Sequence, residues 1–262
     1  MGLPLPPALP HGVRHDVEGG CIARQCGGQP MIRSLVCVLL FCLSATGATA
    51  ADMERLFKHV EADIDASNWG EAERLVTWDA KAWYGGDTHK AWVKSEGEWE
   101  DGTFESAEFQ VLVSQMLNAF WDGQVGIRID AEPTSLLYGV IGVHGLAPQF
   151  IETDIALFLS EDGDAHIRFE GDLDIHLTQR LRLTPFLETD LYLQDVDERH
   201  RAQGLATLET GLQVAYDIRR EIAPYIELNY ETGLGATRSL MRQEGEAEDA
   251  LTLRAGLHFW FN

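Results

Sequence analysis

DAHIRFEGDLDIHLTQRLRLTPFLETDLYL, residues 164–193, alternates apolar and polar side chains with a period of two along almost its whole length. Only an extended strand converts that period into two faces. In the first arm Ala165, Ile167, Phe169, Leu173, Ile175 and Leu177 share one face, and His166, Arg168, Glu170, Asp172, Asp174 and His176 the other. Thr178-Gln179 makes the turn. In the second arm Leu181, Leu183, Leu187, Leu191 and Leu193 oppose Arg182, Thr184, Glu188, Asp190 and Tyr192. Each arm is about twice the usual strand length of five or six residues. Strands that are apolar on one side and acidic on the other suit a transmembrane β-barrel, because about ten tilted residues cross the hydrocarbon while the inward face stays wet. A half-solvated soluble sheet shows the same alternation, so the two ends of the chain decide between them.

Met31-Ile-Arg33-Ser34, the apolar run Leu35 to Leu43, and Ala48-Thr49-Ala50 form a basic n-region, an h-region and a small-residue cleavage site, the pattern of a secretory signal peptide over residues 31–50. The mature chain is then expected to begin at Ala51, which N-terminal sequencing checks. Residues 1–30 read as unstructured translation from an over-early start, 51–57 as a short periplasmic leader, and 58–262 as the barrel. At the other end Leu251, Leu253, Ala255, Leu257, Phe259 and Phe261 oppose Thr252, Arg254, Gly256, His258 and Trp260. The closing Gly256-x-x-Phe259-x-Phe261 resembles the C-terminal signal read by the assembly machinery of bacterial outer-membrane barrels, with Asn262 added after it. A secreted soluble sheet has no reason to end this way.

Cys21, Cys26, Cys37 and Cys42 all precede the expected cleavage site. The exported chain therefore has no disulfide, thiolate metal site or cysteine nucleophile. Removing the three Lys/Arg and two Asp/Glu of residues 1–50 from totals of 20 and 42 leaves 17 basic and 40 acidic side chains, a net charge of −23. That charge argues against nucleic acid as a partner and favours cations.

Applied along the chain, the same alternation yields twelve strands. Short turns fall near Gly85, Asn118, Leu146, Thr178 and Asp217, and long polar loops at 194–203 and 233–249. An even count puts both termini on one side, with short periplasmic turns and longer extracellular loops. The fold class is thus all-β: a single antiparallel transmembrane barrel of about twelve strands in the outer membrane of a Gram-negative bacterium, with lipid as its surroundings. Trp78, Trp83, Tyr84, Trp99, Trp121, Tyr138, Tyr216, Tyr225, Tyr230 and Trp260 lie toward strand ends and are expected in the interfacial girdles.

Several segments, in order, resemble the copper-resistance protein B family. They are Trp78-Asp-Ala-Lys-Ala-Trp83 with Tyr84-Gly-Gly-Asp87, Trp92-Val-Lys-Ser-Glu-Gly-Glu98, and Phe120-Trp-Asp122 with Gly126-Ile-Arg-Ile-Asp130. Gly142-Val-His-Gly-Leu-Ala-Pro148, Leu177-Thr-Gln-Arg-Leu181, Ile218 to Tyr225, and Gly256 to Phe261 continue the series. The likeness spans Val60 to Phe261 and implies an outer-membrane barrel linked to copper tolerance. The Met- and His-rich stretch that members often carry before the barrel is missing here: the leader offers Met53 and His59.

Thiolate and thioether ligands select Cu(I), whereas imidazole with carboxylate suits Cu(II). Residues 51–262 hold three scattered methionines, Met53, Met116 and Met241, so Cu(II) is the expected copper ion. His144, His176 and His258 have lumen parity near the periplasmic ends of their strands, with Asp174 beside His176, and these four are the candidate metal ligands. Rim histidines hydrated in a wet lumen are the bland alternative. The lumen acids could equally form the ion-pair network that fills small barrels. No Gly-x-Ser-x-Gly or His-Glu-x-x-His pattern supports an enzyme. A small acidic porin for cations or solutes is the competing function.

Overall fold

The computed structural model describes residues 55–67, 75–132, 134–196, 199, 201–244 and 247–262. The expected signal peptide, the residues before 55, the first loop at 68–74 and the Pro133 strand break lie outside them. Thirteen strands follow in chain order: β1 (Phe57–Ser67), β2 (Leu75–Gly85), β3 (His89–Glu100), β4 (Thr103–Asn118), β5 (Trp121–Glu132), β6 (Leu136–Ala147), β7 (Ile151–Ser160), β8 (Ala165–Asp172), β9 (Ile175–His176), β10 (Leu181–Tyr192), β11 (Gly204–Tyr216), β12 (Ile222–Gly233) and β13 (Asp249–Phe261). Each pairs antiparallel with its neighbours, β8 and β9 both lie against β10, and β1 pairs with β13, so the sheet closes on itself. Since β8 and β9 share one place in the ring, the barrel has the expected twelve staves.

The interruption between β8 and β9 departs from the continuous arm expected over residues 164–177. Its cause stands opposite. Pro185 in β10 has no N–H to donate to the ladder. Its carbonyl still accepts from Leu173 N (3.1 Å), but strand pairing lapses from Phe186–Asp172 until Leu183–Ile175.

The outward face is apolar. Val93, Val111 and Ile127 sit side by side across β3, β4 and β5 in register, and all three are exposed. Such a belt is stable only against lipid, since the bilayer core offers no partner for polar groups. Several aromatics expected in the girdles point inward instead. Tyr138 and Tyr225 are buried, and Trp83 packs on the cluster of Trp92, Leu112, Leu136, Tyr138, Val140 and Phe158. Strand-end position does not distinguish an interfacial ring from a lumen plug; parity does. Tyr84, Tyr216 and Tyr230 remain on the outside.

The barrel interior is therefore of two kinds. Across β3 to β7 it is filled by the Trp92–Phe158 cluster and by Arg128, which is 1% exposed. His166 of β8 is stacked between Phe158 and Tyr192, with ring centroids 4.8 and 4.9 Å away. Beside this filling the interior is open and acidic, and β3, β4 and β7 contribute Glu96, Glu98, Glu108 and Glu152 to it.

The second long loop, expected to be irregular, contains a helix, α1 (Gly235–Glu244). Leu240, Met241, Arg242 and Gln243 are good helix formers, and the segment is held from both sides. Thr237, fully buried, accepts from Ala202 N at 2.9 Å, while Arg238 and Arg242 both reach Glu248.

Candidate functional site

Inward positions of β1 to β4, β7, β8 and β10 to β13 line a cavity of about 500 Å³. Its wall carries sixteen Asp and Glu side chains, five Lys or Arg, and His258. Strand parity puts them there: Glu61, Asp63 and Asp65 alternate along β1, Glu170 and Asp172 along β8, and Glu227 and Glu231 share the same face of β12. Basic side chains of the interior pair with its acids. Arg168 meets Glu96, Glu108, Glu188 and Asp190; Lys94 meets Asp154; Arg182 lies 3.1 Å from Asp174 and Arg254 3.8 Å from Glu227. Lys81 lies 3.5 Å from Asp79. Carboxylates nonetheless outnumber cations threefold on the wall, and low-dielectric walls of one sign focus the field on any cation that enters.

The four candidate ligands occupy separate stations. His144 sits on β6 against the edge of Trp92, its ring 5.0 Å away, with Nδ1 3.5 Å from Asp154 Oδ2. His176 lies on the two-residue β9 and is exposed. Asp174 is already engaged, accepting from Thr184 Oγ1 (2.6 Å) and Arg182 (3.1 Å). His258 lies on β13, six staves round the ring from β6 and therefore on the opposite wall.

His258 has company that the strand-by-strand reading did not anticipate. Its Nδ1 lies 2.9 Å from Asp63 Oδ1 and its Nε2 3.9 Å from Glu61 Oε1. Among the described residues these three form the group whose ligand atoms all lie within 4.8 Å of one another. Strand parity puts Glu61 and Asp63 in the lumen. What was missing was the register of the closing seam, which sets Asp63 opposite His258. The signal available was that the first and last strands of a closed, even-numbered barrel must pair.

A closed antiparallel ring with a lipid-facing belt, short turns on the terminal rim and a wet acidic interior defines an outer-membrane β-barrel. Its fold is similar to that of the NanC porin, with a TM-score of 0.50 and 15% identity, covering 78% of this chain and 99% of that one. Residues 56–261 match the family described as "Copper resistance protein B precursor (CopB)". The chain is 37% identical over 201 residues to "Copper resistance protein B" of Escherichia coli, covering 76% of this chain and 68% of that protein. It is 31% identical over 200 residues to "Copper resistance protein B homolog" of Pseudomonas syringae pv. tomato, covering 75% and 68%. The chain belongs to the copper resistance protein B family.

Proposed function

We propose that this barrel serves copper tolerance by drawing Cu(II) into its lumen and holding it at the cell envelope. The observation that carries the reading is the cavity wall, with sixteen carboxylates against five Lys or Arg. Family membership supports copper as the ion; the donor set favours Cu(II). No cysteine lies in residues 51–262, and neither Met116, exposed at the end of β4, nor Met241, on α1, lies on that wall. Carboxylate and imidazole are what remain, and they suit Cu(II). His258 and Asp174 on the wall, and His144 and His176 beyond it, are the nitrogen and oxygen stations of this reading.

Titration of the refolded barrel with Cu(II) tests the proposal, alongside copper challenge of cells that lack or regain the protein. Uptake is expected at micromolar metal and should weaken from 0.1 M to 1 M salt, as the screening length falls from about 10 Å to about 3 Å. Tolerance should return with the protein. A parent barrel that takes up no copper at low ionic strength overturns the reading and leaves a general cation or solute barrel.

A further inference from the structure

Strand β1 reads His59-Val-Glu61-Ala-Asp63, so strand parity turns His59, Glu61 and Asp63 to the lumen in one row. Barrel closure then brings β13 alongside, with Asp63 opposite His258 and Glu61 opposite Trp260. The Glu61 carboxylate lies between two imidazoles. His59 Nε2 is 3.5 Å from Oε2, and His258 Nε2 is 3.9 Å from Oε1. Neither separation suits a good hydrogen bond, whose N···O distance runs to about 3.2 Å. Both fall in the range of two ligands of one metal ion, since donors about 2.0 Å from a cation stand roughly 3 to 4 Å apart.

Asp63 adds the second element of such a site. Its Oδ1 lies 2.9 Å from His258 Nδ1, so a proton on Nδ1 leaves the Nε2 lone pair toward Glu61. Metal-binding histidines usually give their other ring N–H to a carboxylate in this way, which fixes the tautomer and ring angle. The neighbouring Asp65 shows what an acid with a purely structural part looks like here. Thr77 Oγ1 donates to it at 2.6 Å and Tyr225 OH at 2.8 Å, and it is buried. Glu61 and Asp63 keep partial exposure to the cavity, and the His59 ring is braced between Trp83 and Trp260, with centroids 6.0 and 5.6 Å away. Lys81, the register partner of Glu61 on β2, is the nearby competing charge, and its ammonium lies 3.5 Å from Asp79.

We infer that the β1–β13 seam is a divalent-cation site in which His258, Glu61 and His59 ligate Cu(II) and Asp63 orients His258. Two imidazoles and a carboxylate match Cu(II) among the cations that an acidic lumen would gather. The site rests on the copper-handling reading above and makes it specific, since it turns general attraction into one stoichiometric position near the periplasmic end of the seam.

The test is titration of the refolded full barrel with Cu(II) alone, followed by electron paramagnetic resonance at one equivalent. The parent should show one tight Cu(II) with nitrogen hyperfine structure from two imidazoles. His59→Ala should reduce this to one nitrogen, and His258→Ala should weaken binding at least tenfold. Asp63→Asn, which preserves shape, should weaken it about 10- to 100-fold without removing a nitrogen. Heat-modified migration in detergent confirms that each variant is folded; if His258→Ala does not fold, His59→Ala and Asp63→Asn decide alone. Uptake by the parent with no change of affinity or spectrum in the folded variants overturns the seam site and leaves the copper-handling reading standing. A parent that takes up no Cu(II) overturns both.

Discussion

Arg128 brings a guanidinium to a place that water does not reach. Its Nε donates to Asp130 Oδ1 at 2.6 Å and one terminal nitrogen to Asp130 Oδ2 at 3.0 Å, and Glu108 takes the same terminal nitrogen. The rings of Phe158 and Tyr138 lie 4.7 and 5.2 Å from the guanidinium carbon. Cutting the side chain back leaves Glu108 without its nearest cation inside the barrel. Arg128→Ala should therefore cost about 3–5 kcal/mol, the usual penalty for breaking a buried ion pair from one side. Asp130 retains Arg199, which sets the loss toward the lower end of that range. Arg128→Lys should recover only part, because an ammonium cannot reproduce the two-point fork on Asp130. Urea unfolding of the barrel refolded in vesicles measures both, and parent-like stability of Arg128→Ala would show that the network is slack.

Among the elements, α1 and the segment after it are held by charge at the solvent edge. Arg242 and Arg238 both donate to Glu248, and these bonds hold its carboxyl down at about 2, below the ordinary value of 4.5. A carboxyl depressed in the folded state adds stability above its unfolded pKa and loses it as pH falls toward the folded one. Protection of the α1 amides against hydrogen exchange, corrected for the intrinsic rate, should thus hold steady above about pH 4.5 and fall between there and pH 2. In Glu248→Gln the same profile should be flat and low. A pH profile unchanged by that substitution would assign the hold on α1 to Thr237 and its bond with Ala202 instead. The β8–β9 break belongs to this scale too, where one missing N–H at Pro185 splits a stave that the side-chain alternation alone would continue.

At the scale of the whole molecule the barrel separates two solvents. Val111 stands at the middle of β4 between Val93 and Ile127, facing lipid. Val111→Arg should cost about 2–4 kcal/mol when the barrel refolds in a bilayer, the penalty for a cation near the midplane. Gln213→Asn, on the cavity wall of β11, should change stability far less. Comparable losses at both positions would mean that the faces are reversed. The interior is also divided. The aromatic and aliphatic filling stands on β3 to β7, while the acids of the cavity come from nearly the whole ring, Glu96, Glu98, Glu108 and Glu152 of β3, β4 and β7 included, so an entering cation meets carboxylates on every side, the β1–β13 seam among them.

The alternation seen in residues 164–193 and in the last strand, Asp249–Phe261, and followed along the whole chain, was enough to assign the faces, the twelve staves and the acidic lumen, because a side chain's face on a strand depends on local parity alone. The order of quoted segments carried the family. Tertiary structure decided which lumen residues meet. His258 and Asp63, 195 positions apart, touch because the ring closes in one register. His144, with the same parity, stands six staves away. Parity says inward and nothing about which wall; that depends on strand number and stagger around the whole barrel, a property no single strand contains. The same limit kept the plug around Phe158 out of reach, whereas the inward turn of Tyr138 and Tyr225 was there in their parity and was overlooked in favour of their strand-end position. Filling a lumen is a matter of summed side-chain volume across several staves, and it is settled only when they are all in place.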